Sequence, residues 1–243
     1  MHQQLANSTF RIVTGNSSGS GFSYINDRLV ITNHHVIEPH LQNGAPIYAI
    51  TEDNVPLPTQ LIAYSDKTEY DFAILELKAP LPSGRNVLQP AASPVTSRGE
   101  RIIFSGFPHA IPHLLVHEAV ISSPYEQHAF YIDGSINGGN SGGPIISAAT
   151  GEVLGIVTQR RFMGGDSLQN LSPQLEQLTR HCAAVATRGS VAINGINFGD
   201  FATMLAQGLG AISRVIEANA NSGIGIGFHI RFVNAELSRL GLS

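Results

Sequence analysis

The sequence predicts a mainly β protein: two small antiparallel β-barrels, with a helical hairpin inserted in the C-terminal half. Three observations carry this reading. Glycine (25) and proline (13) recur throughout the 243 residues and cut the chain into short segments. Before residue 161 the apolar runs have strand length and no helical pattern separates them, which is the rhythm of an all-β barrel or sandwich. From 161 to 221 the period changes, and apolar residues fall at three- and four-residue steps.

The first barrel is expected over residues 8–90. Phe10 to Val13 is its first strand, and the turn-rich Thr14 to Gly19 leads into Gly21 to Ile25. Asn26-Asp27 breaks that run and Leu29 to Thr32 resumes it, a hairpin pattern. Ile47 to Ile50, Gln60 to Ala63 and Phe72 to Leu77 follow. Ala79 to Pro94 carries four prolines and reads as the linker. The second barrel is expected over 91–160 plus 223–243. Its strands are Arg101 to Ser105, Leu114 to Ile121, Ala129 to Ile132, Pro144 to Ser147, Val153 to Thr158 and the returning Gly223 to Phe232, with a helical turn or two over Asn234 to Leu240.

Residues 161–222 form the helical insertion. Ser172-Pro173 predicts a helix start, Ser as N-cap and Pro at the first helical position. Leu175, Leu178, Cys182 and Val185 then share a face, and Gly189 ends the run. Asp200 is placed to cap a second helix with the face Phe201, Met204, Leu205, Leu209, Ile212, Val215 and Ile216. The two apolar faces are expected to pack on each other and on a barrel.

Composition narrows the function classes. Only 13% of residues are charged, the net charge is −4, and the 14 basic residues are nowhere clustered, which argues against nucleic acid. No apolar stretch approaches the ~20 residues of a membrane span. The polar helix faces are poor in Lys and Arg, which argues against a membrane surface. Cys182 is the sole cysteine, so no internal disulfide or multi-cysteine zinc site is expected, and no metal or cofactor site is read. Met1 to Phe10 is polar and lacks an apolar signal core. Together with the lone cysteine this favours the cytoplasm, with a secreted or periplasmic location as the alternative for a trimmed chain.

The strongest chemical signal is Asn137-Gly138-Gly139-Asn140-Ser141-Gly142-Gly143-Pro144. A hydroxyl between glycines has room for a substrate carbonyl, and the amides of Gly139 and Ser141 can converge as an oxyanion hole. A serine needs a base within hydrogen-bond reach. His35, in Thr32-Asn33-His34-His35-Val36, follows a strand, and Asp71 heads the apolar run Phe72 to Leu75. A carboxylate beside such a run must be paired, as an aspartate orienting an imidazole would be. The same serine segment also satisfies G-x-S-x-G. That motif belongs to a strand-turn-helix elbow with Asp and His downstream, and the strand-like Pro144 to Ser147 contradicts it.

Gly19-Ser20-Gly21-Phe22, Thr32 to Val36, Asp71 to Leu75 and Gly139 to Pro144, in that order, resemble the trypsin-like serine peptidases, and most of all the bacterial HtrA (Deg) branch. Gly223 to Phe228 is similar to that branch's last barrel strand. The resemblance implies a chymotrypsin-like pair of six-stranded barrels, with a triad in the cleft between them. It makes Ser141 the nucleophile, His35 the general base and acid, Asp71 its orienter, and Gly139 and Ser141 the oxyanion donors. His34 is left a solvent-facing or capping role. The primary pocket would have Ser135 and Ile136 at its floor, Val157, Thr158 and Gln159 on one wall and Ile226 opposite. Ser135 offers no charge for Lys or Arg, and Ile136 narrows the space, so cleavage after small or medium aliphatic residues is expected.

The chain departs from the family in places. Asn140 replaces the aspartate that pairs with a cleavage-generated amine, so Ile12-Val13 reads as a plain first strand. Nothing after Ser243 corresponds to the PDZ domains common in the HtrA branch, so recruitment by PDZ is not expected of this sequence. The insertion 161–222 is expected to cover or shape the cleft, and a regulatory partner or self-association through it would then switch activity. Protein or peptide is the expected substrate. Two alternatives to a serine endopeptidase stay open: an inactive or gated protease-fold binding module, and an acyl (ester) hydrolase.

Overall fold

The computed structural model describes residues 1–66, 68–91, 96–108, 111–125, 127–162, 165–187, 191–219 and 221–242. Strands β1 (Thr9–Thr14), β2 (Ser17–Ser23), β3 (Leu29–Thr32), β4 (Ile47–Ile50), β5 (Pro56–Ser65) and β6 (Phe72–Leu77) close a barrel in the order β1-β2-β3-β6-β5-β4. The second barrel contains β7 (Arg101–Gly106), β8 (Leu115–Tyr125), β9 (Ala129–Asp133), β10 (Pro144–Ser147) and β11 (Val153–Phe162). After an excursion that includes the short β12 (Ala192–Ile193) and β13 (Ile196–Asn197), β14 (Asn221–His229) completes it, in the order β10-β11-β14-β9-β8-β7. The architecture is thus the mainly β, chymotrypsin-like double barrel that the sequence predicts.

Each barrel has its own interior. Phe10, Ile12, Val30, Ala49 and Leu75 fill the first, and Ile102, Phe104, Phe130, Ile145 and Val157 the second. Strand alternation makes this possible, because inward and outward side chains follow one another along each strand. A third cluster fills the seam between the barrels. Phe22, Ile31 and Ile74 meet Ile103, Ile146 and Ile156 there. Two helices seal it: α1 (His2–Ser8) contributes Leu5, and α5 (Arg231–Arg239) contributes Val233 and Leu237. Each such fully buried side chain stabilises the docking by about 1.5–3 kcal/mol. Tyr24 adds a polar tie, its hydroxyl donating to Asn234 Oδ1 at 2.6 Å. Burial pushes that phenol well above its ordinary range.

Several local expectations are corrected. Met1 to Phe10, polar as read, includes a short helix anchored by the fully buried Leu5. The last strand ends at His229, and the chain is already helical at Arg231 and Phe232. A 3₁₀ turn over His35–Ile37 runs into α2 (Glu38–Asn43), which Gly44 ends at φ 73°. A left-handed residue at that position is the commonest helix stop.

The chain divides into two compact units, Met1–Arg160 with Gly223–Ser243, and Arg161–Ser222. The second unit is a helical pair, α3 (Gly165–Ala186) and α4 (Phe198–Asn219), linked through the β12–β13 hairpin. Asn194 (φ 51°) and Gly195 (φ 82°) form its turn. Both central residues with positive φ is what a two-residue hairpin requires, and Asn-Gly is its usual sequence. Pro173 lies inside α3 and does not start it, because Leu168 and Leu171 already continue the three-to-four spacing of Leu175. Asn197, not Asp200, caps α4: its Oδ1 accepts the N–H groups of Gly199 (2.9 Å) and Asp200 (3.3 Å). The expected buried face of α4 is corrected at Phe201, Met204, Leu205 and Ile212, which are exposed while Ala202 and Ser213 are buried; the side chains of Val215 and Ile216 lie outside the described residues. No described helix is long and apolar enough to cross a membrane.

Candidate active site

Three loops of the barrel unit deliver the chemistry-bearing residues. His35 opens the 3₁₀ turn after β3, Asp71 immediately precedes β6, and Ser141 lies in the glycine turn before β10. His35 Nδ1 is 2.7 Å from Asp71 Oδ2, and the His35 amide donates to Asp71 Oδ1 at 3.1 Å. One carboxylate therefore holds both the ring and the backbone of one residue. Asp71 itself is 1% exposed, whereas His35 is one-third exposed and opens to the cleft.

Asp71 is held from several sides. Its backbone sits at φ 44°, a left-handed conformation that aspartate tolerates better than most side chains. Asn33 Nδ2 donates to the Asp71 carbonyl at 2.6 Å, as does the His34 amide at 3.3 Å. The Thr158 hydroxyl donates to Asp71 Oδ2 at 2.7 Å. A buried carboxylate has to be satisfied in this way, because desolvation without partners would drive it neutral.

Ser141 is oriented differently from what the sequence expects. Its Oγ donates to the Thr158 carbonyl at 2.9 Å, and no hydrogen bond joins it to His35 among the described residues. The hydroxyl and the imidazole nevertheless line one cleft, of about 1010 Å³, with Gly138 and Gly139. Thr158 thus touches both Asp71 and Ser141, through hydroxyl and carbonyl respectively.

The turn around Ser141 is fixed by glycines. Gly139 has φ 96° and Gly142 φ 89°. A Cβ on Gly142 would lie 2.0 Å from the Ser20 carbonyl, and one on Gly143 would lie 2.1 Å from that of Ser105. The Ser20 amide donates to the Ser141 carbonyl (2.7 Å), and the Ser20 hydroxyl to the Gly139 carbonyl (2.7 Å), locking the turn to β2. The Gly142 and Gly143 amides are spent on Val157 and Asn140 carbonyls. Those of Gly139 and Ser141 donate to no other group among the described residues. Their carbonyls are engaged while their donors stay available.

The pocket residues read from the sequence are only partly brought together. Ile136 (2% exposed) and Val157 (fully buried) share the second barrel's core. Facing Ile136 is Gly225, where a Cβ would meet Ile136 Cδ1 at 2.0 Å. Ile226, one residue on, points to the other face and packs with Ala129, Phe228, Tyr125 and Tyr131. Strand alternation is the reason, and the Gly-Ile-Gly-Ile-Gly pattern was the available signal. Ser135 is exposed, and the Gln159 side chain lies outside the described residues. Thr158 has its hydroxyl turned to Asp71, not to a pocket. His34 is not solvent-facing: it is 5% exposed and stacked on Tyr64 at 5.2 Å, while it holds the cap position of the 3₁₀ turn through its carbonyl, which accepts the Ile37 amide.

A histidine–carboxylate pair and a serine on a glycine turn thus share one cleft on a chymotrypsin-like double barrel. A family model described as trypsin-like peptidase domain matches residues 19–156, and the chain belongs to that family. A probable periplasmic serine endoprotease DegP-like from Hahella chejuensis is 33% identical over 150 residues, 59% of this chain and 30% of that protein. The serine protease Do-like HtrB of Bacillus subtilis is 34% identical over 143 residues, 52% of this chain and 29% of that protein. This chain thus spans less than one third of either relative. The crystal structure of the serine endoprotease from Yersinia pestis shares the fold at a TM-score of 0.55 and 23% identity, over 66% of this chain and 58% of that one. The Hahella relative's periplasmic description gives no support to the cytoplasmic expectation and fits the secreted or periplasmic alternative.

Proposed function

We propose that this chain is a serine endopeptidase that cleaves peptide bonds through an acyl-enzyme, after small or medium aliphatic residues. The observation that carries the reading is the His35–Asp71 contact of 2.7 Å on the cleft that also holds Ser141. Asp71 accepts the Nδ1 proton, so His35 Nε2 is left as the acceptor for the serine proton. The reaction requires the Ser141 side chain to rotate away from the Thr158 carbonyl and present Oγ to that nitrogen. Oγ then attacks the scissile carbonyl while His35 takes the proton, and the negative oxygen forms against the Gly139 and Ser141 amides. His35 returns the proton to the leaving amine. Water, deprotonated by the same imidazole, releases the acid. Each oxyanion donor is worth about 10²–10³ in kcat.

Ile136 supports the aliphatic preference. It fills the space against Gly225, which disfavours a large side chain, and offers no charge to a basic one. The test is digestion of a peptide mixture with mass-spectrometric mapping of cuts. Cuts should follow Ala and Val, vanish in Ser141→Ala, and extend to Leu and Phe in Ile136→Ala. Differences of one or two methylenes change such selectivity by roughly 10- to 200-fold. Wild-type cuts after Lys or Arg, or cuts that survive Ser141→Ala, would overturn the proposal.

A further inference from the structure

Resting on that reading, we infer that selectivity is set largely on the leaving-group side, where the cleft takes a bulky apolar side chain from the first two residues after the cleaved bond. The two sides of the centre differ sharply. On the acyl side, Ile136 already fills the space against Gly225 and is itself 2% exposed, so a substrate side chain there buries little new surface. The cleft of about 1010 Å³ is elsewhere. It touches His35, Ser141 and Gly139, but none of Ile136, Val157, Thr158 or Gly225 lines it. A peptide whose acyl side chain meets Ile136 and whose carbonyl meets the Gly139 and Ser141 amides must leave the centre through that cleft.

Its walls suit an apolar group. The apolar lining comes from Val36 and Pro39 and from Phe107, Pro108, Ile111 and Pro112 in the connection between β7 and β8; Val36, Phe107 and Pro108 are buried, and Pro39, Ile111 and Pro112 offer the surface. Three of these six are prolines, each with its φ fixed by the ring. A preformed surface loses little ordering entropy on binding. Phe107 is 6% exposed and anchors the connection against Ala6 and Leu114, whereas Ile111 is 41% exposed and available for contact. The charged groups lining the cleft, Arg11 and Glu38, are opposite in sign, so the lining carries no net charge to favour an ionic side chain.

The experiment uses internally quenched peptides with Val fixed before the cleaved bond and Leu, Phe, Gly, Asp or Lys in each of the two following positions. Peptides with Leu or Phe should show kcat/KM at least about tenfold above those with Gly or Asp, the scale expected for burying a full apolar side chain in one pocket. Ile111→Asp should shrink that ratio to below about threefold, and Ile111→Leu should keep it. Fluorophosphonate labelling of Ser141 in each variant reports that the centre is intact. Equal rates across all five residues, a preference for Asp or Lys, or a ratio unmoved by Ile111→Asp in a labelled variant would overturn the inference while leaving the peptidase reading standing. Absence of both labelling and cleavage in the wild type would overturn the peptidase reading, and the inference with it.

Discussion

Asp71→Asn is expected to lower kcat by roughly 10⁴-fold while the protein stays folded. The carboxylate accepts three hydrogen bonds, from the His35 amide (3.1 Å), His35 Nδ1 (2.7 Å) and the Thr158 hydroxyl (2.7 Å). An asparagine occupies the same volume and presents one acceptor and one donor. Keeping the acceptor on the His35 amide turns the NH₂ group towards Nδ1. The imidazole must then carry its proton on Nε2, where it cannot take one from Ser141. The negative charge that stabilises the imidazolium during attack is lost as well. Stability should change little, because a neutral amide is cheaper to bury than a carboxylate at 1% exposure. The measurement is kcat on a cleaved peptide beside a urea midpoint. A kcat within tenfold of the wild type, in a folded variant, would show that Asp71 does not orient the base.

The second large effect is predicted for Gly142→Ala, which should destabilise the barrel unit by about 3 kcal/mol or more and remove fluorophosphonate labelling of Ser141. Two physical causes act together. The residue sits at φ 89°, which L side chains rarely adopt. Its added Cβ would also lie 2.0 Å from the Ser20 carbonyl and 2.5 Å from Thr32 Oγ1, and the backbone carbonyl cannot rotate away as a side chain would. Relief requires shifting the turn that presents Ser141. Gly208→Ala provides the contrast within the same chain. That glycine lies in α4 with nothing within 4 Å of a Cβ, so alanine there should stabilise the helix by about 0.5–1 kcal/mol. Equal unfolding midpoints for Gly142→Ala and wild type would refute the packing argument.

The sequence made the strands legible because their periodicity is local. Leu29 to Thr32, Ile47 to Ile50, Phe72 to Leu77 and Pro144 to Ser147 coincide with β3, β4, β6 and β10. His35, Asp71 and Ser141 were legible because each sits in a short motif whose residue types serve one chemistry, and the fold places all three in one region of the barrel unit. What stayed hidden depends on contacts between distant segments. Nothing about Thr158 in the chain announces that its hydroxyl meets a carboxylate 87 positions earlier. Gly225, not Ile226, backs Ile136, because strand alternation turns the Ile226 side chain to the other face. Leu5 anchors α1 only because the seam between the barrels offers it a place, and a seven-residue polar segment carries no such signal alone. In α4 the pattern of large apolar side chains points to one face, while among the described residues the small Ala202 and Ser213 are buried.

The central claim is that Ser141 and His35 act as one nucleophilic unit, although the serine hydroxyl rests on the Thr158 carbonyl. Reaction of the purified protein with a fluorophosphonate probe, with the adduct located by mass spectrometry, tests this most directly. The account predicts one adduct, on Ser141, abolished in both Ser141→Ala and His35→Ala. An unlabelled but folded wild type, or labelling that persists in His35→Ala at the wild-type rate, would contradict it.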